Sequence, residues 1–468
     1  MLFSSITFLF TFLPLTIAVY WLCPKRGKNF VLLIASLIFY AWGEPVYVVL
    51  MILTILFNYI CGRDISIKSG NKRKARYSLV FAVAVNLFLL GFFKYYGLFI
   101  DLLNTVLPFT IRKREIGLPI GISFYIFQAI SYLIDVYREE VKPQKNILHF
   151  ALYISMFPQL IAGPIVRYVD IEAQLKKRVI SLAKFGAGAR FFIIGLSKKV
   201  ILANGIGAVF ETIRGEFSGG GNLSVMMAWL GAVAYALQIY FDFSGYSDMA
   251  VGLGKMFGFN LKKNFNYPYT ATSITDFWRR WHISLSTWFR EYVYILLGGN
   301  RVGVARQICN LLVVWSLTGF WHGASWNFLL WGFYYGILLV MEKFIWGNGL
   351  RRMPRICQHL YALVIVVIGW VFFFSSSIKE AFSYLGMMFG IGASVFSDSA
   401  VIYVLSSNWL LWVVGILACA PILFKLFTRT KSAFFQKCFA NIIYMLLFIL
   451  SISGLVTGSF NPFLYFKF

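Results

Sequence analysis

Residues 305–346 read ARQICNLLVVWSLTGFWHGASWNFLLWGFYYGILLVMEKFIW, two apolar runs (305–320 and 324–346) on either side of a short polar island. A helix needs about 20 mainly apolar residues to cross the hydrocarbon core of a bilayer. The second run has that length and the first comes close, so this segment reads as a helical hairpin in lipid. Outward from it the pattern repeats. Further apolar runs lie near 5–23, 29–42, 46–61, 77–98, 118–135, 147–165, 186–213, 223–241, 360–376, 381–396, 408–427 and 439–458. Of the 468 residues 59% are hydrophobic, 19% aromatic and only 13% charged, against roughly 25% charged in a soluble domain. Such a surface cannot be solvated by water. A water-soluble enzyme, a secreted disulfide scaffold and a disordered chain are all excluded. The expected fold is an all-α polytopic membrane protein with about eleven transmembrane helices plus re-entrant or interfacial pieces.

The 43 Lys and Arg against 18 Asp and Glu are read as topology, because cytoplasmic loops collect basic residues. Nucleic acid is not an expected partner. Lys25, Arg26 and Lys28 follow the first run and place that loop in the cytoplasm and the N-terminus outside. The loops 63–76 and 138–145 agree with this assignment, whereas Arg112–Lys113–Arg114 opposes it. The run 147–165 is interrupted by Pro158, Gly163 and Pro164, and the amphipathic stretch 284–299 ends in Gly298–Gly299. Irregular backbone at membrane depth survives only where protein or a wet cavity covers it. These two stretches are therefore the expected re-entrant or interfacial segments.

Polar islands inside apolar sequence carry the chemical information. One is FPQLIAGPIVRY (157–168). A second runs from Tyr240 to Asn300 and contains FDFSGYSD (241–248) and DFWRRWH (276–282). The third is GFWHGASWN (319–327). Of four histidines, His322 is the one set deep between apolar runs. Imidazole exchanges a proton near neutral pH and suits general-base work on a hydroxyl. A core histidine bonded to a backbone carbonyl fits the same position. His282 lies in a basic aromatic cluster at a membrane edge, where composition alone favours structural anchoring over catalysis. Arg279 and Arg280, with Lys262, Lys263 and Arg290, form a basic patch interleaved with Trp278, Trp281 and Trp288; it either holds a nucleotide's phosphates and base or follows from topology alone. Asp242 and Asp248 flank a Ser-Gly-Tyr-Ser turn containing Ser244, and are free to pair with the patch, orient a base or bind a coupling cation. Trp321, Ser325 and Asn327 flank His322 as supporting residues. The six cysteines show no metal-ligand spacing, and no metal site, serine-hydrolase elbow or phosphate-binding glycine loop is expected.

With these motifs in view, the chain resembles the membrane-bound O-acyltransferase family, in the bacterial branch of alginate and peptidoglycan O-acetylation. The resemblance rests on LPIGISFYIFQAISYLIDVYR (118–138), FPQLIAGPIVRY (157–168), YFDFSGYSDMAVGLGKMFGF (240–259), NFNYPYTATSITDFWRRWHISLSTWFREYVY (264–294), LTGFWHGASWNFLLWG (317–332) and NPFLYFKF (461–468). It implies one membrane domain over 1–468 with a catalytic core about 118–346. It also implies spans in a ring around a thinned centre crossed by a tunnel. The family's catalytic histidine falls on His322, and its second polar residue on His282. Leu296 stands where relatives usually have proline, and Tyr335 where many have histidine.

The resemblance further implies acyl transfer across the bacterial cytoplasmic membrane. Acetyl-CoA is the expected donor substrate and no resident cofactor is expected. The expected acceptor is a polysaccharide hydroxyl, or one on an extracytoplasmic partner of SGNH-hydrolase type. D-alanyl transfer from a carrier protein, a transporter using Asp242, Asp248 and Lys94, and a non-catalytic scaffold are the alternative readings.

Overall fold

The computed structural model describes residues 1–468 apart from Glu115, Ala162, 423–432, 459–460, 462–463 and 465–468, and omits the side chains of 433–438. The Cys438 side chain and most of the terminal NPFLYFKF motif thus lie outside what is described. Among those described, the regular structure is helical, without strands. Among the described residues, seven helices are long and apolar enough to cross a membrane: Tyr47–Ile67, Lys72–Val106, Leu182–Ser218, Val225–Met256, Trp326–Arg352, Arg355–Phe374 and Phe439–Thr457. The pair Ser399–Ser407 and Trp409–Ala418, bent by 69°, makes an eighth if taken as one broken span.

The difference from the expected count has a geometric cause. Three apolar runs form shorter helices, Phe8–Leu22, Lys28–Gly43 and Ile122–Tyr137. At 1.5 Å per residue each extends only about 23 Å, less than the ~30 Å hydrocarbon core. The helix Val304–His322 is also outside the seven, and Arg306, Gln307 and Asn310 make its first half polar. Large apolar side chains such as Leu22, Val46, Val106 and Ile391 point outward. That is the surface of a multi-pass membrane protein.

The chain forms two compact units. The first comprises Met1–Phe192 and Met249–Lys262. Its helix Ile122–Tyr137 has every residue from Ile122 to Val136 buried, the polar Ser123, Gln128, Ser131 and Asp135 included. The run 147–165 is broken: Ile147–Ser155 ends at Met156, a short turn Phe157–Leu160 follows, and the described residues 161 and 163–167 carry no regular structure. Protein covers the break, since Phe157, Pro158, Gln159 and Leu160 are buried and the Phe157 amide donates to the Ser36 hydroxyl oxygen at 3.0 Å.

The second unit comprises Ile193–Asp248 and Lys263–Phe468. It holds the hairpin of Val304–His322 with Trp326–Met341, and Arg355–Phe374 packs against the second of these helices. Two short helices, Ile274–Arg280 and Ile283–Phe289, precede the hairpin and continue into a π-helical turn, Arg290–Tyr294. The stretch 284–299 is thus a broken, non-spanning segment. All the residues of the site described next belong to this second unit.

Candidate functional site

His322 is the last residue of its helix and is only 5% exposed. Its Nδ1 lies 2.7 Å from the carbonyl oxygen of Thr318, one turn earlier. A carbonyl can only accept, so Nδ1 carries the hydrogen and donates it, leaving the lone pair on Nε2. The ring is wedged edge-to-face among Trp321 (4.9 Å), Trp331 (4.9 Å) and Phe373 (5.5 Å). The two sequence readings of this residue therefore coincide. One nitrogen is tied to a backbone carbonyl, and that tie puts the other in the state a base requires.

Glycine sets how closely the hairpin that carries this ring can pack. A Cβ at Gly319 would lie 2.2 Å from the Phe328 carbonyl oxygen, and one at Gly332 would lie 2.3 Å from that of Trp315. Only glycine at both positions lets the two backbones approach this far. Asn327 then fixes the start of the second helix, its Nδ2 donating to the carbonyls of Ser375 (2.7 Å) and Phe372 (3.2 Å). Ser325 donates to the Asn327 Oδ1 at 2.6 Å. Ser325 and Asn327 thus anchor helices and do not line the cavity described below.

His282 occupies the elbow between Ile274–Arg280 and Ile283–Phe289 with φ +44° and ψ +53°. A left-handed backbone at a non-glycine residue costs on the order of 1–3 kcal/mol and persists only when its surroundings enforce it. Here Asn264 does so. Its carbonyl accepts from the Ile283 amide at 2.9 Å. Its Oδ1 accepts from the amide and hydroxyl of Ser284 at 3.0 and 2.9 Å. The ring is 1% exposed and lies 4.7 Å from Phe243 and 6.2 Å from Trp321. Burial, and secondarily the neighbouring His322, holds its pKa well below the ordinary histidine value. His282 is therefore neutral at physiological pH.

Both histidines line one cavity of about 220 Å³, together with Thr318, Trp278, Arg279 and Arg290. The two arginines are exposed at its rim, Arg290 beside its ion-pair partner Glu291 at 2.5 Å, and the two imidazoles are buried within it. An elongated substrate with an anionic head and an electrophilic end fits this polarity: charge-assisted hydrogen bonds at the rim, a proton acceptor inside.

Other predicted site residues go elsewhere. Arg280, one position from Arg279 and so turned about 100° around the helix, donates to Asp276 at 2.9 Å. Lys262 belongs to the first unit and pairs with Asp170 at 2.6 Å, and the exposed Lys263 does not line the cavity. Trp281 is in the aromatic core, 5.6 Å from Phe277 and 4.9 Å from Trp370. Trp278 does line the cavity but is only 6% exposed. Its ring abuts Trp315 (4.6 Å) and Tyr335 (4.9 Å), so it is a wall more than a stacking platform.

FDFSGYSD forms no turn, since it lies inside the helix Val225–Met256. Asp242 makes a buried ion pair with Lys199 at 2.7 Å and accepts from the Leu464 amide at 2.9 Å. Asp248 pairs with Lys198 at 2.7 Å, and Ser244 is buried beside them. These carboxylates are occupied by lysines. Thr318 and Asn264 were not singled out from the sequence. Thr318 stood at the i−4 spacing from His322 that would have revealed it; Asn264 acts across a loop and left no such mark.

The profile of the membrane-bound O-acyltransferase family matches residues 137–387. A probable alginate O-acetylase of Azotobacter vinelandii is 42% identical over 85% of this chain and 80% of its own length. That of Pseudomonas putida is 38% identical over 100% of both. The chain belongs to the membrane-bound O-acyltransferase family. A peptidoglycan O-acetyltransferase of Helicobacter pylori is also similar, 37% identical over 84% of this chain and 80% of its own. In this O-acyltransferase both histidines and every cavity residue named above fall within the matched region.

Proposed function

We propose that this O-acyltransferase moves an acetyl group from cytoplasmic acetyl-CoA to a hydroxyl presented from the opposite side of the membrane, with His322 as general base. The observation that carries this reading is the single cavity leading from exposed Arg279 and Arg290 to an imidazole whose Nε2 holds the lone pair. The arginines would take the phosphates of the donor, and the pantetheine arm would lie along the cavity. Nε2 removes the acceptor's proton as its oxygen attacks the thioester carbonyl. The tetrahedral adduct collapses, the C–S bond breaks, and the thiolate leaves with the proton returned by the imidazolium. No acyl-enzyme is required. His282, neutral and close by, is placed to hold the thioester oxygen during attack.

The alginate and peptidoglycan O-acetylating relatives support acetyl as the group and an exported polysaccharide as the final acceptor. The immediate acceptor is that glycan or a hydroxyl on an extracytoplasmic partner of SGNH-hydrolase type. The basic loops support the bacterial cytoplasmic membrane as the location, with the N-terminus outside.

Purified protein in lipid nanodiscs, given radiolabelled acetyl-CoA and acceptor oligosaccharide, should transfer label and release free CoA. Transfer from a D-alanyl carrier protein with none from acetyl-CoA would replace the donor. Uptake of substrate into liposomes without CoA release would replace catalysis by transport.

A further inference from the structure

The helix that brings Trp278 and Arg279 to the cavity is only seven residues long, Ile274–Arg280. A seven-residue helix is too short to hold its own structure in water, so its position must be imposed. At its start the carboxylate of Glu342, 68 residues further along, replaces the missing preceding turn. Oε1 accepts from the Ile274 amide at 2.6 Å. Oε2 accepts from the Thr275 amide at 2.9 Å and from its hydroxyl at 2.6 Å. Tyr361 donates to Oε1 at 3.3 Å.

Glu342 is buried and follows directly on Trp326–Met341, the helix pressed against the His322 helix through Gly332. One carboxylate therefore ties the rim of the cavity to the hairpin that carries the base. Both sides of this connection line the same cavity, through Thr275 and Arg279 on one and His322 on the other.

We infer that Glu342 is the positioning residue that sets Arg279 at the rim in register with His322, and so governs recognition of the phosphate-bearing end of the acyl donor. This rests on the acyl-CoA reading above. It assigns Glu342 no contact with substrate.

The test compares acetyl-CoA with S-acetylpantetheine, which lacks the nucleotide phosphates, in Glu342→Gln, Thr275→Val and the unaltered protein in nanodiscs. Gln replaces one acceptor oxygen by an amide nitrogen, so at least one of the clamping bonds is lost. Small displacements of positioning groups cost up to about 10²-fold. Glu342→Gln should raise KM for acetyl-CoA by about 10-fold or more, with a smaller change in kcat and no change in KM for S-acetylpantetheine. Thr275→Val, which removes only the hydroxyl bond, should move KM the same way by a smaller factor, and it keeps the test open if the Gln variant fails to fold. Equal losses on both donors, or a lowered melting temperature with KM unchanged, would overturn the inference. If the unaltered protein fails to use acetyl-CoA at all, the donor reading falls instead, and the two failures are separable.

Discussion

Replacing Gly332 by alanine should cost turnover far more than it costs folding. The added Cβ would lie 2.3 Å from the Trp315 carbonyl oxygen and 2.9 Å from the Gly319 Cα, whereas ordinary contact begins at 3.4 Å. Both obstructions are backbone of the His322 helix, so no side chain can swing aside, and the helices must separate by about 1 Å. Overpacking of this kind costs about 1–3 kcal/mol of stability. A 1 Å displacement of a catalytic group costs on the order of 10²-fold in rate. Gly332→Ala should therefore insert and melt as a folded protein while acetyl transfer in nanodiscs falls about 100-fold. Gly349→Ala is the control: a Cβ there meets nothing within 4 Å, and full turnover is expected. Unaltered turnover in Gly332→Ala would refute the claim that the glycine contact sets the position of the base.

Arg279→Ala combined with Arg290→Ala should raise KM for acetyl-CoA, whereas Lys262→Ala, whose lysine is paired with Asp170, should leave it unchanged; steady-state kinetics separates the two. The folded protein holds the pKa of His282 below its ordinary value. Below about pH 6.5 the unfolded chain therefore takes up a proton that the folded chain refuses, and stability falls as the pH drops. Melting temperatures measured from pH 8 to 5 should fall less steeply for His282→Asn, a residue that tolerates the left-handed backbone; an identical slope would contradict this. Lys199→Met strands the buried carboxylate of Asp242 and should destabilise by about 3–5 kcal/mol. Removing both charges in Lys199→Met/Asp242→Leu should recover much of that in a thermal melt.

The membrane class was legible because lipid imposes a compositional demand that 59% hydrophobic residues satisfy and a soluble fold does not. The catalytic candidate was legible because a single imidazole interrupts two apolar runs. The donor patch was only half legible. Arg279, Arg280, Lys262 and Lys263 crowd together in sequence, but helical geometry turns neighbouring side chains apart, and Asp170 and Asp276 claim two of the four cations. Trp281 looked like a stacking surface because composition does not distinguish a rim tryptophan from one inside an aromatic core. Span number was hidden by helix length, since apolar runs such as 29–42 fold into helices, here Lys28–Gly43, that are shorter than the hydrocarbon core. Glu342 stood in plain view as an acid in an apolar run, yet its role depends on amides 67 and 68 residues away. The left-handed elbow at His282 has no side-chain signature in the sequence.

The central claim is that the imidazole of His322 takes the acceptor's proton. The direct measurement is the acetyl-ester content of exported glycans, by mass spectrometry, in cells making equal membrane levels of the unaltered protein or His322→Ala. Loss of a general base lowers the rate by about 10²–10⁴-fold, so acetyl esters should all but vanish from the variant while it inserts and melts as a folded protein. Near-normal acetyl content would contradict the account.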